Sequence, residues 1–139
     1  MTSPYSMFST DKDLETGKGV TIDYGAFKFT IHRAGGANRN YQTVLAAKSA
    51  PYRRQTSAGT LSDEISTKIM AEVYADTIII AWDGITDAKG KKIAFNRENV
   101  IKLLTDLPEL FNAISDEANR LANFRKEEIE AEEKNSVKS

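Results

Sequence analysis

Few residues in this sequence have the types and spacing that catalysis or metal binding requires. His32 is the single histidine, and no nucleophile or orienting acid stands near it in the sequence, so a general base here would lack its partners. One histidine and no cysteine argue against a zinc site. Asp83, Asp87 and Gly90 approach a calcium loop, but the closing glutamate is missing at the required spacing. We therefore predict a protein that is not an enzyme and that uses no metal or cofactor.

A glycine-rich segment at residues 34–38, Ala-Gly-Gly-Ala-Asn, lies where a phosphate-binding loop would lie, between a predicted strand and a predicted helix. It has neither the GxGxxG spacing of a dinucleotide site nor the lysine and hydroxyl pair of a P-loop. A break in the chain with a permissive backbone explains the two glycines better.

Another candidate for binding is a stretch that interleaves cations with aromatic rings and contains no acid. Its members are Arg39, Tyr41, Lys48, Tyr52, Arg53 and Arg54. This pattern can bind an acidic or helical protein partner, or the phosphates of a nucleic acid. The net charge of the whole chain is -1, which is not the strongly basic balance of nucleic-acid-binding domains. A protein partner is therefore favoured over nucleic acid, and ordinary solvated surface is the plainest interpretation.

The composition is that of one globular domain. The chain has 139 residues, of which 40% are hydrophobic and 28% charged. No segment reaches the roughly 18–20 apolar residues of a membrane span, and the polar N-terminus is not a signal peptide, so we expect a cytoplasmic protein. Residues 1–59 hold 8 basic and 4 acidic side chains, and residues 60–139 hold 11 and 16. This asymmetry is compatible with head-to-tail self-contact or with a charged protein partner.

The elements begin with a region of alternating polar and apolar residues. Residues 20–33 alternate with a period of two, which predicts two short strands joined near Gly25, most simply as a hairpin. Asn38 is then placed to cap a helix over residues 39–49. A polar, mobile loop is predicted over residues 53–59.

The strongest pattern predicts one long core helix of about twenty residues. It would begin at the capping hydroxyls of residues 60–62, those of Thr60 and Ser62, end at Trp82, and have Gly84 as its C-terminal cap. The apolar residues at helical spacing are Leu61, Ile65, Ile69, Met70, Val73, Tyr74, Ile78 and Ile80. The β-branched run 77–80 could form a strand, but the 3.6-residue period that precedes it favours a helix.

Two further helices complete the predicted fold. Asn96 caps the first, and Pro108 lies at the first turn of the second, where its missing N–H is tolerated. The sequence predicts an α+β fold that is mainly α-helical, with a short N-terminal β-hairpin followed by a compact bundle of about four helices. We expect residues 1–18 to be a flexible arm, residues 19–124 a single globular domain, and residues 125–139 a charged, flexible tail.

The order and spacing of several short segments are similar to those of the tail assembly chaperones of siphophages, over about residues 27–136. The segments are 33–41 (Arg-Ala-Gly-Gly-Ala-Asn-Arg-Asn-Tyr), 73–79 (Val-Tyr-Ala-Asp-Thr-Ile-Ile), Trp82-Asp83, Thr86-Asp87, Gly90-Lys91, Phe95, Asn99, 107–111 (Leu-Pro-Glu-Leu-Phe), Asn123-Phe124-Arg125 and the glutamate-rich run that ends at Lys134-Asn135-Ser136. Each segment is weakly specific alone, and the resemblance depends on their order.

This resemblance implies a bacteriophage protein that acts in tail morphogenesis in the host cytoplasm and is absent from the mature virion. Such chaperones bind the tape measure protein, keep it soluble and recruit tail tube subunits. Many are also made in a longer form by ribosomal frameshifting, and Lys134-Asn135 is compatible with a slippery codon pair. The side chains expected to contact a partner, or a second copy, are Arg39, Tyr41, Tyr52, Arg53, Arg54, Met70, Tyr74, Trp82, Phe111 and Phe124.

Two alternatives stay open at this point. A virion structural protein, such as a head–tail connector subunit or minor tail component, would remain in the purified particle. A small nucleic-acid-binding regulator would use the basic stretch and bind DNA in a salt-dependent way. Mass spectrometry of particles and DNA retention at low salt distinguish these alternatives from a chaperone.

Overall fold

The structure, a computed structural model, describes residues 3–126. The helices in this range are α1 (Pro4–Phe8), α2 (Lys12–Thr16), α3 (Arg39–Ser49), α4 (Arg53–Ala58), α5 (Asp63–Thr77), α6 (Arg97–Asp106) and α7 (Pro108–Ala118). The strands are β1 (Val20–Asp23), β2 (Lys28–Ile31) and β3 (Ile79–Asp83), and short 3-10 turns span Ala50–Tyr52 and Leu121–Phe124. The α+β, mainly helical fold that the sequence predicts is confirmed.

The three strands form an antiparallel sheet in the order β1-β2-β3. The predicted hairpin is confirmed, because β1 pairs with β2 from Val20 opposite Ile31 to Asp23 opposite Lys28. Phe29 and Ile31 alternate with polar residues along β2 and are fully buried, as expected for a sheet with one covered face.

The predicted start of the long core helix is confirmed, but its predicted end at Trp82 is wrong. Helix α5 begins after Ser62, whose side chain accepts a hydrogen bond from the Ile65 N–H, and it ends at Thr77. The chain then continues as strand β3, which pairs with β2. Only Ile79 and Ile80 of the β-branched run 77–80 lie in the strand, where pairing with β2 adds to their local preference. Trp82 lies in this strand, and Gly84 follows the strand rather than capping a helix.

Two smaller predictions also differ from the structure. Residues 53–58 form helix α4 rather than a loop, and no side chain of α4 is buried. Asn38 precedes α3 as predicted but does not cap it with its side chain. It is 4% exposed, and its Nδ2 donates to the carbonyl oxygens of Arg33 at 2.8 Å and Thr77 at 3.2 Å. Asn38 therefore joins the end of the hairpin to the end of α5.

The core lies between the sheet and the helices, with α5 at its centre, packed between α3 and α6. Its largest fully buried side chains are Tyr74, Phe29, Phe124, Ile31, Ile78, Leu104, Ile114, Val73 and Val100. Helices α6 and α7 are separated at Pro108 as predicted, and the Asn96 side chain caps α6 by accepting from the Asn99 N–H. Within residues 3–126, no helix combines the length and apolar character that a membrane span requires.

The part of the predicted N-terminal arm that the structure describes packs against the domain through α2. Glu15 is 2% exposed, and its carboxylate accepts from Arg33 Nη1 at 2.6 Å and from Thr10 Oγ1 at 2.9 Å. Thr10 also forms a β-bridge with Arg125. The division into arm, domain and flexible tail stays a prediction, and residues 127–139 of that tail lie outside the described residues.

Candidate partner-binding groove

A groove of about 260 Å³ lies between α5 and α7. Its walls are formed by Ser66, Thr67, Met70 and Tyr74 from α5, and by Pro108, Phe111, Asn112 and Ser115 from α7. These residues are three or four positions apart on each helix, so they stand on one face of it. No charged side chain lines the groove.

Helix α7 divides its side chains between the core and the adjoining groove. Ile114 and Ala118 are buried in the core, whereas Phe111 is half-buried and Asn112 exposed. Pro108 starts the helix directly after α6 ends, which makes α7 turn back beside α5. The local sequence therefore places one face of α7 in the core and leaves the neighbouring face along the groove.

Tyr74 forms the floor of the groove and connects three helices. Its ring packs edge-on against the rings of Tyr41 in α3 and Phe111 in α7, with 6.2 Å and 5.0 Å between the ring centroids. This is a favourable geometry for aromatic pairs. Its hydroxyl donates to Ser115 Oγ at 3.1 Å. Burial raises the pKa of the Tyr74 phenol above its ordinary value of 10.0, so the group is a neutral donor at physiological pH.

This arrangement is suited to binding a partner. A half-buried methionine and phenylalanine offer adaptable apolar contacts, and the hydroxyl and amide groups along the walls can bond a partner's polar groups. A groove between two helices with such walls fits the apolar face of a third, amphipathic helix. Among the described residues, no group of three or more histidine, cysteine or acidic side chains could hold a metal ion.

The groove brings together three of the residues predicted from sequence as partner contacts, Met70, Tyr74 and Phe111. Tyr41 packs behind them against Tyr74. Phe124 is fully buried elsewhere in the core. The groove residues that sequence reasoning missed are Ser66, Thr67, Pro108, Asn112 and Ser115. A helical projection places Ser66 and Thr67 on the same face of α5 as Met70, and this signal could have identified them.

The predicted basic stretch is dispersed in the structure. Arg39 begins α3, and Arg53 and Arg54 begin α4 beyond the other end of α3, an eleven-residue helix about 16 Å long. Lys48 is partly neutralised, since its Nζ lies 3.6 Å from Glu72 and 3.8 Å from Asp76. The three arginines are exposed and Tyr52 is half-buried. These residues do not form one continuous cationic surface.

Trp82 lies at a different place, on the far strand of the sheet. Its indole N–H donates to the Ile93 carbonyl at 3.1 Å. Its ring packs edge-on against the Phe95 ring, with 5.3 Å between the ring centroids. Together with Lys92 they line a second cavity of about 300 Å³. His32, the sequence's lone histidine, has its Nε2 2.8 Å from the Gly17 carbonyl oxygen, which is a structural contact between the hairpin and the end of α2.

Comparison with protein-family models identifies a prophage family. The model of the YdaY prophage protein family matches residues 36–135, a segment that includes α3 to α7, β3 and the whole groove. No curated protein and no solved structure matches the chain. Since the family match covers well over half of the sequence, this protein of phage origin belongs to the YdaY prophage protein family.

Proposed function

We propose that this prophage protein is a tail assembly chaperone, which binds the tape measure protein, keeps it soluble and recruits tail tube subunits. The observation that carries the proposal is the uncharged groove between α5 and α7, where Met70, Tyr74 and Phe111 come together. The phage origin of the family and the ordered resemblance to siphophage chaperones support the same role. The protein acts without catalysis or cofactor, in the host cytoplasm, and is absent from the finished particle.

The groove suits a long helical partner that must be held and then released. A tape measure protein exposes apolar helix faces before assembly, and such surfaces aggregate unless covered. Apolar side chains one helical turn apart in the partner would enter between Met70 and Phe111. Because no charged side chain lines the groove, binding would depend on apolar contact, with the moderate affinity that release requires.

Filling the groove with a charged side chain should strongly weaken capture of the partner. Asn112 is exposed and lines the groove, so Asn112→Arg adds bulk and charge without entering the core. We expect at least about a tenfold loss of tape measure protein co-purified after co-expression, equivalent to about 1.4 kcal/mol of binding free energy. Asn40→Arg, on an exposed position of α3 outside the groove, is the matched control and should bind like the wild type.

Two outcomes would contradict this function. Equal capture by the Asn112→Arg and wild-type proteins would remove the groove as the binding site. Detection of the protein in purified particles by mass spectrometry, at the copy number of a tail or connector component, would instead identify a virion structural protein.

The frameshifted longer form is tested separately, with the native coding DNA and its downstream region expressed without recoding. We expect intact mass measurement to find a minor, longer product that shares this N-terminus and diverges near Lys134-Asn135. Synonymous recoding of these two codons is the control and should remove the longer product. A single product from the native DNA would contradict the frameshift and leave the groove experiment as the test of chaperone activity.

A further inference from the structure

A rigid, lysine-rich turn follows strand β3. The Asp87 carboxylate accepts hydrogen bonds from the Lys89 and Lys91 N–H groups, both at 2.9 Å, and Gly90 takes a left-handed φ of 82°. Thr86 and Lys92 close the turn with a β-bridge. This backbone presents three lysines within four residues in one fixed arrangement.

The cations of this turn have no partner within residues 3–126. Lys89, Lys91 and Lys92 are exposed, and no salt bridge of the described residues includes them. The acids nearby are Asp87, which bonds the turn's own backbone, and Asp83, which lies opposite Lys28 on β2. The surface is therefore cationic overall.

A mainly apolar pocket, which Asp83 also lines, adjoins these lysines. Trp82 and Phe95 line the cavity of about 300 Å³ together with Lys92, and Phe95 is 42% exposed. The bond from the indole N–H to the Ile93 carbonyl holds the Trp82 ring in place. A ligand for this surface needs carboxylates for the lysines and one apolar side chain for the pocket.

The chain itself contains such a segment. Residues 127–133 read Glu-Glu-Ile-Glu-Ala-Glu-Glu, so five carboxylates surround Ile129. We propose that residues 127–133 of one copy bind the lysine turn of a second copy, with Ile129 in the pocket beside Trp82. This contact is independent of the groove between α5 and α7, and it gives the protein a means of self-association.

The position of the tail favours a second copy over the same chain. Arg125 is bridged to Thr10, whose hydroxyl bonds Glu15, and Glu15 pairs with Arg33 just past β2. This is the end of the sheet where β3 begins, whereas the lysine turn follows the other end of β3, about 17 Å away along five residues. Because residue 125 is tied to the end of the sheet away from the lysine turn, we assign the tail that meets this turn to a second copy.

Trp82 is the chain's only tryptophan, so its fluorescence reports on the pocket directly. With the full-length protein, we expect sedimentation velocity at low salt to show association with rising concentration, accompanied by a blue shift of Trp82 emission. Ile129→Ser and the triple variant Lys89→Ser, Lys91→Ser, Lys92→Ser should each weaken association by at least about tenfold. The control triple variant Lys12→Ser, Lys18→Ser, Lys68→Ser removes three exposed lysines elsewhere and should associate like the wild type.

A charge-reversal mixture separates this contact from a general effect of charge. A turn variant with Lys89→Glu, Lys91→Glu and Lys92→Glu, and a tail variant with all five glutamates of residues 127–133 changed to lysine, should each be monomeric alone. They should associate when mixed, because each turn then meets a tail of opposite charge.

Several results would overturn the proposal. One is a monomer at every concentration. Another is association that the tail variants leave unchanged. A third is a concentration-independent effect of the tail on Trp82 emission, since it would assign the pocket to the tail of the same chain. Retention of a single-stranded oligonucleotide by the turn, with no effect of the tail variants on self-association, would assign the lysines to nucleic acid instead.

Discussion

Phe124→Ala is expected to lower the free energy of unfolding by about 3–5 kcal/mol, the cost of truncating a large buried aromatic side chain. Phe124 is 0% exposed, and its backbone carbonyl accepts the Asp11 N–H at 2.8 Å. The truncation would leave a cavity where the C-terminal 3-10 turn joins the core. A domain of this size has about 5–15 kcal/mol of stability, so the variant should unfold at a much lower urea concentration.

Phe8→Ala is the control for this experiment. Phe8 is 64% exposed, and removal of its ring should change stability by less than about 0.5 kcal/mol. The comparison also decides how Phe124 acts, because the sequence alone places it among the partner contacts. An unchanged urea midpoint for Phe124→Ala, together with lost partner binding, would contradict the burial and restore the interface role.

Glu15→Ala is expected to cost about 3 kcal/mol of stability, the lower end of the range for breaking a buried ion pair. Its carboxylate accepts from Arg33 at 2.6 Å and from Thr10 at 2.9 Å. The substitution leaves the Arg33 guanidinium without its acid, but the Arg33 side chain is 20% exposed and keeps some hydration. Chemical denaturation monitored by circular dichroism measures the loss.

A double-mutant cycle shows whether this loss belongs to the pair. Glu15→Gln keeps the shape and the hydrogen-bond acceptor, so it should cost less than Glu15→Ala. The double variant Glu15→Ala, Arg33→Ala should lose less stability than the two single variants lose in sum. Each single variant leaves one charge without its partner, whereas the double variant leaves none. Strict additivity would mean that the pair contributes nothing to holding α2 on the domain.

The elements that the sequence predicts well are those with local signals. The hairpin of residues 20–31 follows from period-two alternation, and α6 follows from Asn96 at its cap. Strand β3 is different, since Ile80 and Trp82 extend the helical period of α5 by coincidence. Residues 79–83 form a strand because they pair with β2. This pairing joins segments about fifty residues apart in the sequence, so a local sequence pattern cannot predict it.

The groove was predictable in its residue types but not in its assembly. Met70 and Phe111 are conspicuous as soft and aromatic side chains, yet only the turn at Pro108 brings α7 beside α5. Tyr74 has the same type and is almost completely buried, at 1% exposure. A 3.6-residue period identifies the apolar face of a helix, but it does not say which part of that face a neighbouring helix covers.

The bridge between Thr10 and Arg125 has a consequence for the order in which the protein folds during its synthesis. The partners of Thr10 and Asp11 at residues 124 and 125 are translated only after every other element of the domain. Closing so long a loop carries an entropic cost that contacts between neighbouring helices avoid. Helices α5 to α7 can therefore pack first, and the contacts of Thr10 and Asp11 complete the domain last, when the ribosome has already passed the codons of Phe124 and Arg125.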